Sequence, residues 1–204
     1  MFFSIDGGDG TGKSTQIDLF CRWLEGAGHK VVRCRDPGST PLGEAVRELL
    51  LNRHDLCIDR RSEMFLYMAA RAQLAEEVIR PALTEGMTVV SDRYLLANVV
   101  YQGHAGGLDV ESLWEVGRLA TGGLLPDLTI VLDMPADAAT RRLGGTLDRM
   151  EQQGGEFHAK VRQGFLDEAA RRPDAIAVVD AGRSIDQVQA DVRAAASKLL
   201  TRNA

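Results

Sequence analysis

Gly7-Gly8-Asp9-Gly10-Thr11-Gly12-Lys13-Ser14 is the stretch on which the fold turns. It has the spacing G-x-x-x-x-G-K-[ST], in which glycines let successive backbone N–H groups turn toward one anion while Lys13 adds a point charge and Ser14 a hydroxyl. Its neighbours supply the context that the pattern requires. Phe2 to Ile5 is a short apolar run rich in strand formers, and Ile17, Leu19, Phe20, Trp23 and Leu24 recur afterwards at helical spacing. Strand, glycine turn and helix N-terminus together make an anion cradle with the positive end of the helix dipole aimed at it. The alternative, a glycine turn with an incidental lysine, explains neither the full spacing nor the strand and helix on either side. The ligand expected here is a nucleoside triphosphate, its phosphates surrounded by Gly7, Gly8, Asp9, Gly10, Thr11, Gly12, Lys13, Ser14 and Thr15, with Ser14 on Mg²⁺.

Outward from the cradle, strand and helix patterns alternate. Gly26 and Gly28 stop the first helix, and Val31-Val32 mark a second strand within His29 to Arg35. The turn-rich Asp36-Pro37-Gly38-Ser39-Thr40-Pro41 leads into a helix marked by Leu42, Val46, Leu49 and Leu50. Ser62 to about Glu85 reads as one long helix whose end is bent or shortened by Pro81. Met87 to Ser91, Leu128 to Leu132 and Ile176 to Val179 are continuous apolar runs of the kind buried on both sides. The pattern predicts an α/β fold with a parallel sheet between helical layers. Between Arg142 and Glu156 the apolar periodicity disappears around Gly144, Gly145, Gly154 and Gly155, as expected of a short mobile lid.

The bulk numbers exclude several classes. The chain has 204 residues, 45% hydrophobic and 26% charged, which suits one domain (1–204) with its own core. No apolar run approaches the roughly 20 residues of a membrane span, and no secretory signal is readable at the N-terminus, so a cytoplasmic location is expected. Cys21, Cys34 and Cys57 form no close pair and read as small buried hydrophobes rather than disulfides or metal ligands. A net charge of -5 offers no general attraction for polymeric nucleic acid. The phosphate cradle by itself is shared by GTPases, ATPases, motors and small-molecule kinases, so the second substrate must be read elsewhere.

Four further segments make the chain resemble bacterial thymidylate (dTMP) kinases. They are Arg35-Asp36-Pro37-Gly38-Ser39-Thr40-Pro41-Leu42-Gly43, Ala69-Ala70-Arg71-Ala72-Gln73-Leu74, Ser91-Asp92-Arg93-Tyr94 continuing to Tyr101-Gln102-Gly103, and Leu147-Asp148-Arg149-Met150-Glu151-Gln152. The resemblance implies a P-loop three-layer α/β/α architecture with a five-stranded parallel sheet, ATP as donor, dTMP as acceptor, Mg²⁺, and a homodimer. It also implies roles. Asp9 would bind the 3′-hydroxyl of the acceptor sugar, Tyr67 would stack on the base, and Arg71 would reach the O4 edge of thymine. Arg93 would grip the acceptor phosphate, Asp92 would contact Mg²⁺ directly or through water, and Arg35 would border the acceptor phosphate. Asn98, Tyr101 and Gln102 would line base and deoxyribose. Arg183, after the last strand, falls where the adenine loop lies, although Ser184 there also reads as a plain helix N-cap.

The resemblance has departures. Ala97 stands where the family often has Ser or Thr, Asp36 where it has Glu, and Ser39 where it has a second glycine. No arginine lies in the cradle, so positive charge for the transferring phosphoryl is expected from the lid, with Arg141, Arg142 and Arg149 as candidates. Catalysis by Lys13, Arg93, Arg142, Arg149 and Asp9 needs no general base, because the acceptor phosphate has a second pKa of about 6 and is largely ionised near neutrality. His104 and His158 read as solvated loop or lid residues. Two other readings remain open at this point: a kinase with an altered nucleotide or nucleoside acceptor, and a nucleotide-binding regulatory protein without turnover.

Overall fold

A computed structural model describes residues 1–53, 55–142 and 154–200. Five strands, β1 (Phe2–Gly7), β2 (Val31–Arg35), β3 (Thr88–Asp92), β4 (Leu128–Asp133) and β5 (Ile176–Asp180), form one sheet in the order β2-β3-β1-β4-β5. Every pairing is parallel, with Ser4 of β1 level with Ser91 on one side and Thr129 on the other. The chain runs to one edge for β2, returns for β3, and crosses to the far side of β1 for β4. The carboxyl ends of β1 and β3 therefore flank the point where the winding reverses, which is where open parallel sheets collect ligands.

Alternation along the strands splits the apolar core between the two faces. Phe3 and Ile5 pack with Ile17 and Phe20 of α1 (Lys13–Gly26) and with Val188 and Val192 of α9 (Ile185–Leu200). Phe2, Val89 and Val131 pack on the opposite face. Their partners include Met64 and Met68 of α3 (Arg60–Leu74), Leu95 of α5 (Leu95–Asn98), Trp114 of α6 (Val110–Ala120) and Phe165 of α8 (Gly155–Arg171). Helix starts follow ordinary capping chemistry. Thr40 accepts from Gly43 N ahead of α2 (Pro41–Leu51), and Asp59 accepts from Arg61 N ahead of α3.

The helix expected from Ser62 to Glu85 is divided. After α3 a π-helical segment, Ala75–Ile79, intervenes before α4 (Arg80–Thr84), with Pro81 in the first turn of α4. The backbone stays helical across the junction, so Pro81, which has no N–H to donate, falls in the first turn after the wider π-helical segment. A second π-helical segment, Val99–His104, extends α5. The expected lid has helical edges, Arg142 ending α7 (Ala136–Arg142) and Gly155 opening α8, while 143–153 lie outside the described residues. Cys21 and Cys34 are buried as expected, but Cys57 is exposed, in the segment before α3 where Ile58 packs against the core and Cys57 beside it faces outward.

Candidate active site

Past the carboxyl end of β1 the chain makes the turn that the glycines promised. Gly7, Gly10 and Gly12 all have positive φ, at 137°, 81° and 90°. At Gly7 a side chain is excluded twice over, because a Cβ would also lie 2.5 Å from the Leu132 carbonyl oxygen. Lys13 opens α1 and donates from Nζ to the carbonyls of Gly8 (2.8 Å) and Gly7 (3.3 Å), 3.6 Å from Asp9 Oδ1. Burial pushes the Lys13 ammonium below its usual range, with Arg93 acting in the same direction. Thr11 Oγ1 ties the loop by donating to the Gly8 carbonyl at 2.9 Å.

A cleft of about 850 Å³ opens at this point. On the side of the loop it is walled by Gly10, Thr11, Gly12, Lys13, Ser14 and Thr15. Gly7 and Gly8 lie behind that wall, where their carbonyls hold Lys13, so their part is to shape the loop. Arg142 and Arg183 also reach the cleft, the first donating to the Ala181 carbonyl at 3.3 Å and the second paired with Asp180 and Asp191. Ser184 caps α9 in a reciprocal arrangement with Gln187, so that turn carries a structural motif and also faces the cleft. Arg141 does not line the cleft; it pairs with Asp137 one helical turn away at the surface. Arg149 lies outside the described residues.

Asp9 stands where the two halves of the cleft meet. Its carboxylate accepts from Arg93 Nη2 and, at 2.8 Å, from the Tyr101 hydroxyl. Arg93 also donates from Nη1 to the Gly7 carbonyl at 3.0 Å, and its guanidinium lies 5.0 Å from the centre of the Tyr101 ring. Burial works to raise the Asp9 carboxyl, but Arg93, Lys13 and the Tyr101 bond outweigh it and hold the group well below the usual carboxylate range. Asp9 is thus an anion throughout the working pH range. Arg93 itself has φ 66°, a left-handed conformation that a non-glycine residue adopts at a cost and that recurs at functional sites.

The other half of the cleft contains the remaining expected residues. Arg35, Tyr67, Arg71, Asp92, Asn98, Tyr101 and Gln102 all line the same cleft, and Ala97 contributes an apolar wall position. Arg71 is not a solvated charge. It is 1% exposed and donates to Asp36 Oδ2 (2.5 Å), Asn98 Oδ1 (3.1 Å) and the Tyr94 carbonyl (3.3 Å). Burial raises the Asp36 carboxyl above its ordinary value against the pull of Arg71. Arg35 is more loosely held, half exposed and paired with Glu44 at 2.7 Å.

Arg47, a cleft residue, escaped the sequence reading, and the two histidines read as solvated depart from that reading. Arg47 lines the cleft and donates to the Pro37 carbonyl at 3.1 Å, bracing the Asp36-Pro37-Gly38 turn; it falls beside the apolar stripe of α2, where a surface arginine is the ordinary reading. His104 is not a solvated residue: its Nε2 lies 3.0 Å from Glu168, a fully buried carboxylate that also accepts from Trp114 Nε1 at 3.0 Å. His158 is half-buried, close enough to help hold Asp9 in its anionic form.

Asp6 lies fully buried beneath the loop and accepts from Ser4 Oγ at 2.5 Å. Burial pushes its carboxyl up to about 6, opposed by the Ser4 bond, Arg93 and Lys13. A folded-state pKa above the unfolded 3.8 means that the unfolded chain loses this proton first, so Asp6 lowers stability as pH rises from about 4 to about 6. Asp6→Asn should therefore raise the melting temperature at pH 7.5 and leave it nearly unchanged at pH 4. Melting curves at the two pH values check this, and an equal shift at both would contradict it.

Comparisons with known proteins place this geometry. A family model described as thymidylate kinase matches residues 5–192. Among curated relatives, the thymidylate kinase of Rhodopirellula baltica is 47% identical over 191 residues, covering 94% of this chain and 78% of that one. That of Symbiobacterium thermophilum is 44% identical over 203 residues, covering 99% and 95%. A crystal structure of thymidylate kinase from Ehrlichia chaffeensis matches with a TM-score of 0.77 at 29% identity, covering 95% of this chain and 97% of that one.

Proposed function

The chain belongs to the thymidylate kinase family, and from that premise we propose how its own residues carry a phosphoryl group from ATP to dTMP. It is a phosphotransferase acting on dTMP, with dTDP and ADP as products. The observation that carries the assignment of roles is the position of Asp9, within one cleft, between Lys13 on the loop and Arg93 with Tyr101 beyond β3.

ATP lies with its phosphates along the loop, where the α1 N-terminus and Lys13 offset their charge. The adenine end extends toward Arg183. Mg²⁺ fits the oxygen donors available, the Ser14 hydroxyl and the Asp92 carboxylate, both in the cleft wall. Among the described residues there is no cluster of three or more carboxylate, histidine or cysteine ligands, which suits an ion held by few protein groups and by substrate phosphates. Held there, the ion would supply positive charge to the phosphate oxygens.

The acceptor phosphate approaches Arg93 and Arg35, the sugar approaches Asp9 and Tyr101, and the base lies against Tyr67, Arg71, Asn98 and Gln102. Phosphoryl transfer develops negative charge on oxygens, so alignment and fixed cations do most of the catalytic work. Lys13 and Arg93 stand within the described part of the cleft, and Arg142 adds a third cation from the end of α7. Arg149 completes the set in this reading.

ADP release measured with ATP and dTMP, dUMP, dCMP or thymidine in parallel tests the whole scheme. Rapid turnover of dTMP with negligible turnover of thymidine is expected, and the reverse order would reject it.

A homodimer is the proposed assembly. Phe65 on α3 and Leu119 on α6 are 58% and 84% exposed on two helices that pack together, an apolar presentation suited to a second copy. Light scattering should give twice the 22.2 kDa chain mass, falling to the single-chain mass in Phe65→Glu/Leu119→Glu. A wild-type protein that is monomeric at micromolar concentration would rule this assembly out.

A further inference from the structure

Glu63 does not line the cleft, yet a chain of hydrogen bonds from the base-binding residues ends on it. It occupies the first turn of α3 and is 3% exposed. Together with Tyr67 and Arg71 it follows the i, i+4, i+8 spacing that puts three residues on one helical face. Gln102 Nε2 donates to Glu63 Oε1 at 2.8 Å, Asn98 Nδ2 donates to Gln102 Oε1 at 2.5 Å, and Arg71 Nη1 donates to Asn98 Oδ1 at 3.1 Å. Donation thus runs in one direction, from a guanidinium that can only donate to a carboxylate that, when ionised, can only accept. Both amides are fixed between these ends. Their carbonyl oxygens are turned to protein partners, and each amide nitrogen keeps a second hydrogen on a residue that lines the cleft.

Resting on the thymidylate kinase reading, we propose that Glu63 is a positioning residue for acceptor choice: it terminates the Arg71–Asn98–Gln102 relay so that this wall offers hydrogen-bond donors to the base. A pyrimidine whose position 4 carries a carbonyl oxygen, as in thymine, meets a complementary donor there. One with an exocyclic amine meets N–H against N–H, and buried polar groups left unpaired are what make such discrimination strong. Without an acceptor at position 63 the Gln102 amide is free to turn, its oxygen can face the base, and the wall loses its single polarity.

The test compares kcat and KM for dTMP and dCMP in wild type, Glu63→Leu, Glu63→Asp and Glu63→Gln. Leucine removes the acceptor, and aspartate withdraws it by one methylene. Each should raise KM for dTMP about tenfold, change kcat much less, and narrow the dTMP to dCMP preference in kcat/KM by about tenfold, the scale of one misplaced hydrogen bond. Glutamine retains an acceptor of the same length and should keep the preference within about threefold of wild type. Folded Glu63→Leu or Glu63→Asp protein with a wild-type preference overturns the proposal. So does failure of both to fold, which would make Glu63 a purely structural residue. Wild-type protein that does not use dTMP would instead reject the parent reading, whatever the variants do.

Discussion

Lys13→Ala is expected to lower kcat by about 10²–10³-fold while the protein stays folded. In the proposed role the ammonium serves the donor phosphates between which charge moves during transfer, and nothing else on the loop carries a positive side chain. Its removal costs little stability. Burial already disfavours the charged form of Lys13, as its lowered pKa indicates, and the Gly7 and Gly8 carbonyls that it now satisfies adjoin an open cleft where water can replace it. Steady-state kinetics and a melting curve on the same preparation separate the two effects. A kcat within fivefold of wild type would remove Lys13 from the mechanism, and a collapsed melting temperature would make its role structural.

Arg93→Lys carries the second large expectation, a loss of about 10²-fold or more in kcat/KM for dTMP. One guanidinium spans the Gly7 carbonyl, the Asp9 carboxylate and the Tyr101 hydroxyl while its plane faces the Tyr101 ring. Lysine keeps the charge but not the fork, and charge-assisted bonds of this kind contribute about 1.5–3 kcal/mol each. The substitution is clean because lysine meets the same penalty as arginine at φ 66°, so backbone strain cancels in the comparison. ATP affinity, measured separately, should change much less. A loss in kcat/KM below about threefold would mean that a point charge suffices and that the fork geometry is incidental.

The fold was legible because its signals are local and strong: a glycine cradle between an apolar run and an amphipathic helix, then more apolar runs at α/β spacing. The breaks in the helical ladder at Ala75–Ile79 and Val99–His104 were not, because π-helical segments keep helical composition and shift by one residue without any distinctive side chain. Most cleft residues were legible through their motifs. Those that support them were missed because long-range partners rather than local pattern define them. Asp6 reads as the polar end of a strand, Glu63 as a first-turn carboxylate favoured by the helix dipole, and Glu168 as one more surface charge on α8. Burial and contacts across the fold turn each into something else. His104 went wrong for the same reason, since its partner lies 64 residues later.

Asp9 has one more consequence. On the proposed roles, a single carboxylate shared by Lys13 on one side and by Arg93 and Tyr101 on the other makes the two nucleotides thermodynamic neighbours even before they touch. Drawing Lys13 toward a triphosphate loosens its hold on Asp9 and tightens the claim of Arg93, and drawing Arg93 toward a monophosphate does the converse. Linkage then requires that whatever factor ATP imposes on the dissociation constant of dTMP, dTMP imposes on that of ATP. The loop residue that distinguishes the two halves of the cleft is thereby also what lets each half register the occupancy of the other.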